Sequence, residues 1–130
     1  IIRLCDWFGL SELFCSYDTV DCYNPKVIQA SMGSIARVRC HYIDNLGDYL
    51  KSLKKPIFGA SLNGKSIYEH TLVKKATYIF GSESQGISKD ILKNLNSELT
   101  IPQFRTGKFK PDSLNVANSV AIFLSELSKK

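Results

Sequence analysis

Apolar positions along this chain switch repeatedly between a helical and an extended period. Ile1, Leu4, Cys5 and Phe8 share one helical face, which Gly9 can close, while Arg3 and Asp6 lie off that face. ELFCS, residues 12–16, reads as a short strand, and residues 18–24 as a loop. Pro25 suits a first helical turn with Asn24 as its cap, and KVIQASMGS continues that helix until Gly33. Residues 36–43 are strand-like. Asn45 can cap a helix carrying Leu46, Tyr49, Leu50 and Leu53, which Pro56 ends. Residues 57–61 form a strand, and Leu62-Asn63-Gly64 a turn. Residues 66–73 are ambiguous, with a short helix as the candidate. TYIF, residues 77–80, is a buried strand leading into Gly81. Ser88 caps a helix with Ile91, Leu92 and Leu95. Residues 99–101 make a last strand, which Pro102 stops, and residues 104–112 form a basic loop.

The terminal stretch, residues 112–130, is the most apolar helix in the pattern. Leu114, Ala117, Ala121 and Leu124 form one row, and Val116, Val120, Phe123 and Leu127 a second. Such a helix is expected to be enclosed, by other elements or by a second subunit. Asp112, Ser113 and Asn115 are expected at its start, where free N–H groups favour polar work.

Strands alternating with helices predict an α/β fold, a mainly parallel sheet with helices on both faces. Ligands of such sheets sit beyond the carboxyl ends of the strands. Those ends are Ser61-Leu62-Asn63, Gly81-Ser82-Glu83 and Ile101-Pro102-Gln103, and the three loops are expected to make one pocket.

At 130 residues the chain is expected to be a single domain, with 44% hydrophobic residues to build a core. It opens on Ile1 within a helical pattern, so the natural protein is expected to begin upstream. No apolar run reaches the length of a membrane span and no signal peptide is visible, so membrane partners are not expected. The formal charge of +5 leans towards polyanions such as RNA, although a mildly basic globular protein needs no such partner. Cys5, Cys15, Cys22 and Cys40 contain no CxxC pair and, with His41 and His70, make no zinc spacing. Buried thiols in a reducing cytosol are expected, with no metal. Cys40 and His41 are neighbours on a strand and point to opposite faces, so they do not make a catalytic pair.

Three short motifs remain. GSESQG, residues 81–86, is neither a phosphate cradle nor a dinucleotide fingerprint, but its two glycines permit close backbone approach and Glu83 projects from it. IPQF, residues 101–104, stops a strand abruptly and leaves backbone groups of Ile101 free for a ligand. SLNVA, residues 113–117, places a hydroxyl and an amide at a helix start. Each alone reads as an ordinary turn or cap.

In this order and at these spacings the three motifs resemble the SpoU/TrmH-type RNA ribose 2′-O-methyltransferases of the SPOUT superfamily. NPKVIQASMGSIARV, residues 24–38, looks like the segment before that family's central strands. IIRLCDWFG, residues 1–9, looks like the end of its first motif, an asparagine–x–glycine turn followed by an arginine-bearing helix, with the turn itself absent. The resemblance implies a C-terminal deep trefoil knot, an S-adenosylmethionine site within it, and a cytoplasmic homodimer acting on tRNA or rRNA. It implies that Gly81, Ile101 and Leu114 hold the cofactor, in loops that include Ser61, Leu62, Asn63, Ser82, Gly86, Pro102 and Gln103. Arg3, Glu83, Ser113 and Asn115 match catalytic or site-shaping positions. The loop FRTGKFKPD, residues 104–112, is longer and more basic than the family's, so Arg105, Lys108 and Lys110 are candidate RNA contacts beside Arg3, the alternative being a solvated insertion.

The expected chemistry is in-line methyl transfer to a ribose 2′-oxygen, with Arg3 on the target phosphate and hydroxyl. Arginine's pKa, above roughly 12, opposes its acting as the base, and Glu83 or water is the alternative acceptor. An ordinary surface pairing of Arg3 with Asp6 is the competing expectation. Trp7 and Phe8 are expected to pack in a core or a dimer contact. Rival functions are a base-methylating SPOUT enzyme, a catalytically silent RNA-binding module of the same fold, and a flavodoxin-like nucleotide-binding domain, which leaves SLNV without a role.

Overall fold

The computed structural model describes residues 1–129, so the end of the expected terminal helix at Lys130 lies outside the described residues. The chain divides into two compact units, Ile1–Tyr49 and Leu50 onward.

The first unit holds α1 (Ile2–Trp7), β1 (Glu12–Ser16), α2 (Pro25–Ser31) and β2 (Arg39–Ile43), and begins α3 (Leu46–Ser52). Strands β1 and β2 pair in parallel, from Glu12 beside Arg39 to Ser16 beside Ile43. Asn24 caps α2 by accepting from the Lys26 N–H at 3.0 Å, with Pro25 at the first helical position. Strand β2 begins three residues later than its sequence suggests, because Ser34–Ala36 close a 3-10 turn first. Ile2, Cys5, Cys22 and Val38 form the core, with Leu13, Ile35, Cys40 and Tyr42 packed against it. All four cysteines are free thiols, three of them buried. Cys40 faces the core, whereas its neighbour His41 stacks on Phe14 with ring centroids 4.8 Å apart. Trp7 does not join any core: it is 82% exposed.

The second unit holds β3 (Ile57–Ser66), β4 (Thr77–Ile79), α4 (Lys89–Leu92), β5 (Ser97–Thr100) and α5 (Val116–Ser128). Its sheet has the order β4-β3-β5, with both pairings parallel. The single sheet expected from the sequence is thus two parallel sheets, of two and three strands. The turn expected at residues 62–64 is a bulge within β3: Ala60 and Lys65 both pair with Leu99, so residues 61–64 loop outward. Gly64 lets β3 return to β5, because a Cβ there would stand 2.4 Å from the Leu99 nitrogen. Residues 67–70 make a turn and not a helix, and place Ile67 in the core at 1% exposure. Ser88 sits at the start of α4 but its side chain makes no cap bond, and Leu95 lies beyond that short helix.

The core joins Phe58, Ile67, Leu99 and Phe123. Phe123 meets Phe80 edge-on at 5.2 Å and Tyr78 at 6.2 Å. Of α5, only Val120 and Phe123 are buried, and Ile122, Leu124 and Leu127 keep part of their surface in water. The expected enclosure of this helix is therefore incomplete within one chain. No helix among the described residues is long and apolar enough to cross a membrane.

Candidate functional site

The second unit brings two of the three sequence motifs into direct contact. The loop after β4 folds back on itself: the Ser82 N–H donates to the Gly86 carbonyl at 3.2 Å, and the Gly86 N–H donates to the Ser82 carbonyl at 2.8 Å. The Ser82 hydroxyl adds a third tie by accepting from the Gln85 N–H at 3.1 Å. Two glycines make this closure possible. A Cβ on Gly81 would lie 2.0 Å from the Gly86 carbonyl carbon, and Gly86 turns the chain at φ +67°.

The closed loop presents Glu83 to the start of α5. Glu83 Oε1 accepts from Asn115 Nδ2 at 2.7 Å and from the Val116 N–H at 3.4 Å. Asn115 caps the helix by accepting from the Ala117 N–H at 2.8 Å. The helix thus begins at Val116, not near residue 112, because Asn115 supplies the cap. Ser113 and Leu114 are the exposed approach to it. A carboxylate at a helix N-terminus is favoured by the dipole as well as by its hydrogen bonds. Glu83 is occupied as a clamp between loop and helix.

The other expected loops meet beside β5. The Thr100 hydroxyl donates to the Leu62 carbonyl at 3.3 Å, linking the bulge of β3 to the end of β5. The Ile101 N–H has no hydrogen-bond partner among the described residues. The Gln103 amide donates to the Pro111 carbonyl at 2.8 Å. Leu62 and Leu114 leave 69% and 48% of their surface exposed, as an apolar rim. Ser61 anchors the bulge by accepting from the Asn63 N–H at 3.2 Å.

Two concavities, of about 360 and 460 Å³, open at the amino ends of strands, the first at β1 and β2 and the second at β3 and β5. The first is lined by Ser11, Glu12 and Arg39 among others, the second by Pro56, Ile57 and Asn96. None of the expected cofactor residues lines either one. The strand-end loops carry donors, apolar rim and glycine closure, so they hold the chemically stronger case despite their openness.

Arg3 lies exposed on α1 of the first unit, with no hydrogen bond or ion pair among the described residues. Its expected pairing with Asp6 does not form. Asp6 instead accepts from Ser34 Oγ at 2.7 Å and from Arg37 Nε and Nη2 at 3.0 and 2.6 Å. The Arg37 guanidinium, helped by the Ser34 hydroxyl, holds the Asp6 carboxyl below its usual range. Sequence reading missed this triad, since its members lie twenty-eight and thirty-one residues apart.

Residues 1–125 match the SpoU rRNA Methylase family. The chain belongs to that family. The 23S rRNA (guanosine-2′-O-)-methyltransferase RlmB of Blochmanniella floridana is 32% identical over 129 residues, 96% of this chain and 49% of that protein. A TrmH-family protein of Porphyromonas gingivalis shares the fold at a TM-score of 0.85 and 37% identity, over 97% of this chain and 51% of its own. The SpoU methyltransferase AviRb of Streptomyces viridochromogenes, solved with the cofactor AdoMet, shares the fold at a TM-score of 0.83 and 23% identity, over 98% of this chain and 52% of its own. This SpoU-family chain spans about half the length of the curated relatives it matches.

Proposed function

We propose that this SpoU-family chain is the catalytic part of an RNA ribose 2′-O-methyltransferase that takes its methyl group from S-adenosylmethionine. The observation that carries the reading is the clamp of Glu83 on Asn115 and Val116, which ties the GSESQG loop to the SLNV helix start. Family membership supplies the reaction class. The RlmB relative, named for a guanosine 2′-O-methyl transfer, supports the ribose oxygen as acceptor.

The residues present suit such a cofactor. The unpaired Ile101 N–H and the backbone of Gly81 and Leu114 would hold its polar groups, with Ser82, Gly86, Pro102 and Gln103 alongside. Leu62 and Leu114 offer apolar surface to its flat ring, beside Ser61 and Asn63. S-adenosylmethionine supplies an electrophilic sulfonium methyl group. The chain's own residues align the nucleophile with it and exclude competing geometries. Arg3, permanently charged and unpaired, grips the phosphate of the target nucleotide and orients its 2′-hydroxyl. Ser113, exposed just before α5, would donate to the bound substrate. Glu83, already held by Asn115, shapes the site and leaves proton acceptance to solvent.

The working form in this reading is a cytoplasmic homodimer whose second copy covers the half-exposed apolar side of α5, with the terminal segment threaded as a trefoil knot. The RNA is a tRNA or an rRNA, met by Arg3, Arg105, Lys108 and Lys110.

Calorimetric titration of the intact protein with S-adenosylmethionine tests the cofactor, and nucleoside mass spectrometry of the cell's RNA tests the product. Arg3→Lys in the intact protein is expected to cut 2′-O-methylation at least about a hundredfold, because a point charge cannot reproduce the guanidinium fork, with cofactor affinity retained. Absence of cofactor binding in the unsubstituted protein would favour a silent RNA-binding module instead.

A further inference from the structure

We propose that residues 103–111 form a base-stacking finger for unpaired RNA, with Phe104 and Phe109 as its platforms and Lys108 and Lys110 as its phosphate contacts. The inference deepens the RNA reading above and rests on it. Phe104 and Phe109 are 82% and 88% exposed, whereas Phe58 and Phe123 of the same unit are 7% and 1% exposed. A phenyl ring left in water forgoes the burial that drives folding, and two within six residues of one loop are not scattered surface apolars.

The loop that carries them is tied, not slack. The Gln103 side-chain amide donates across its base to the Pro111 carbonyl at 2.8 Å. Further out, Arg105 Nε donates to the Phe109 carbonyl at 2.7 Å. Gly107 turns the tip at φ +102°. These bonds fix the backbone beside both rings while burying neither, which lowers the ordering cost of anything that stacks on them. Arg105, expected from the sequence to touch RNA, is through its Nε a positioning residue for Phe109.

The charges select the partner. Arg105, Lys108 and Lys110 face a single carboxylate, Asp112, within residues 103–112. Lys108 and Lys110 have no ion-pair partner among the described residues. Cations interleaved with exposed rings suit single-stranded nucleic acid, whose bases are free to stack. Duplex RNA keeps its bases stacked on each other and offers only backbone and groove. A second copy of a chain with formal charge +5 is a poor partner for this cationic loop. The finger joins Ile101-Pro102 to Ser113-Leu114, so a base held on it enters at the candidate methyl-transfer loops.

The test is fluorescence anisotropy of the intact protein with a short labelled oligouridine and with an RNA duplex of equal length. Phe109→Ala and Phe104→Ala are each expected to weaken oligouridine binding about tenfold and duplex binding less than about twofold. Phe109→Trp should retain or tighten it. Lys108→Ala and Lys110→Ala should weaken both RNAs, each lowering the salt slope on oligouridine by about 0.7, which the Phe variants should not do. Equal binding by wild type and Phe variants, or equal losses on both RNAs, would overturn the finger. So would a change in sedimentation mass with RNA affinity unchanged, which would assign the rings to contacts between copies. S-adenosylmethionine titration is expected to be the same in every Phe variant. Its failure in the unsubstituted protein would sink the methyl-transfer reading alone, since oligouridine binding is read separately.

Discussion

The two units use polar groups in opposite ways. Beside the core of the first, polar side chains, only Ser34 of them buried, tie distant segments together. The Tyr42 hydroxyl accepts from the Cys22 N–H at 2.7 Å and donates to the Val20 carbonyl at 2.8 Å, and Asp6 gathers Ser34 and Arg37. In the second, the core cluster is aliphatic and aromatic, while the Glu83–Asn115 and Arg105–Phe109 bonds lie at the surface. The difference separates polar groups that hold a fold from exposed ones left free for other work, such as Glu83 and Asn115 in the second unit and Arg3 on the first. Where polar groups hold the core, pH and conservative substitution reach the fold. Where packing holds it, the exposed rim is free to carry a site, and its residues can be exchanged at small cost to folding.

The largest effect should come from the aromatic core. Phe123→Ala removes a ring that is 1% exposed and deprives Tyr78 and Phe80 of their edge-on partner. A loss of about 3–5 kcal/mol is expected, read by urea unfolding and by amide exchange in β3, β4 and β5. A loss below about 1 kcal/mol would show that the second unit is not held by this cluster.

Next in size is Tyr42→Phe, which leaves the Cys22 N–H and the Val20 carbonyl without their partner at nearly unchanged volume. About 1–3 kcal/mol should be lost, since the cost is that of two deserted backbone groups. The same hydroxyl makes the first unit alkali-sensitive. Burial pushes Tyr42 from 10 up to about 12, and burial likewise pushes the Cys40 thiol from 9 up to about 12. A raised folded-state pKa means that the neutral form is favoured by folding. The associated stability is complete below the unfolded values and drains away as pH climbs through about 9–12. Asp6 acts at the other end: its lowered pKa contributes above the ordinary carboxyl range and is lost on acidification through it. Circular dichroism from neutral to strongly alkaline pH should show Tyr42→Phe with a shallower decline than wild type. Parallel declines would remove Tyr42 as a cause.

How far the sequence disclosed this arrangement depends on the range of the interaction. Asn24-Pro25 and ELFCS announced α2 and β1 because caps, proline and alternation act over a few residues. Parallel strand pairing followed from alternating elements, but the division into two sheets did not, since it is decided by which strands find each other. The β3 bulge was hidden because Leu62-Asn63-Gly64 has turn chemistry, and only the close approach of Gly64 to β5 shows that the strand resumes. At the candidate site the motifs singled out Glu83 and Asn115, and the structure brings the two into contact. Their hydrogen bond spans thirty-two residues and is a tertiary fact. Helical spacing offers Asp6 to Arg3 only as a competing expectation, and a bidentate guanidinium and a buried hydroxyl from beyond α2 outcompete a single exposed partner.

The smallest effect on stability should still have a measurable consequence for cofactor binding. Asn115→Ala removes both the α5 cap and the donor to Glu83, and about 1 kcal/mol should be lost. Asn115→Asp separates these roles. The introduced carboxylate still accepts from the Ala117 N–H and suits a helix start, so stability should change by less than about 0.5 kcal/mol. It cannot donate to Glu83, however, and sets two like charges where a 2.7 Å hydrogen bond stood. The loop of residues 81–86 should then swing from the helix, and S-adenosylmethionine affinity should fall about tenfold by calorimetry. Adding Glu83→Gln to Asn115→Asp restores a donor to the pair with its direction reversed, and should recover most of that affinity. A double-mutant cycle would place the coupling at about 0.5–1.5 kcal/mol. Additive losses would mean that the clamp is only a surface contact, and the second unit's rim would no longer differ in kind from any solvated turn.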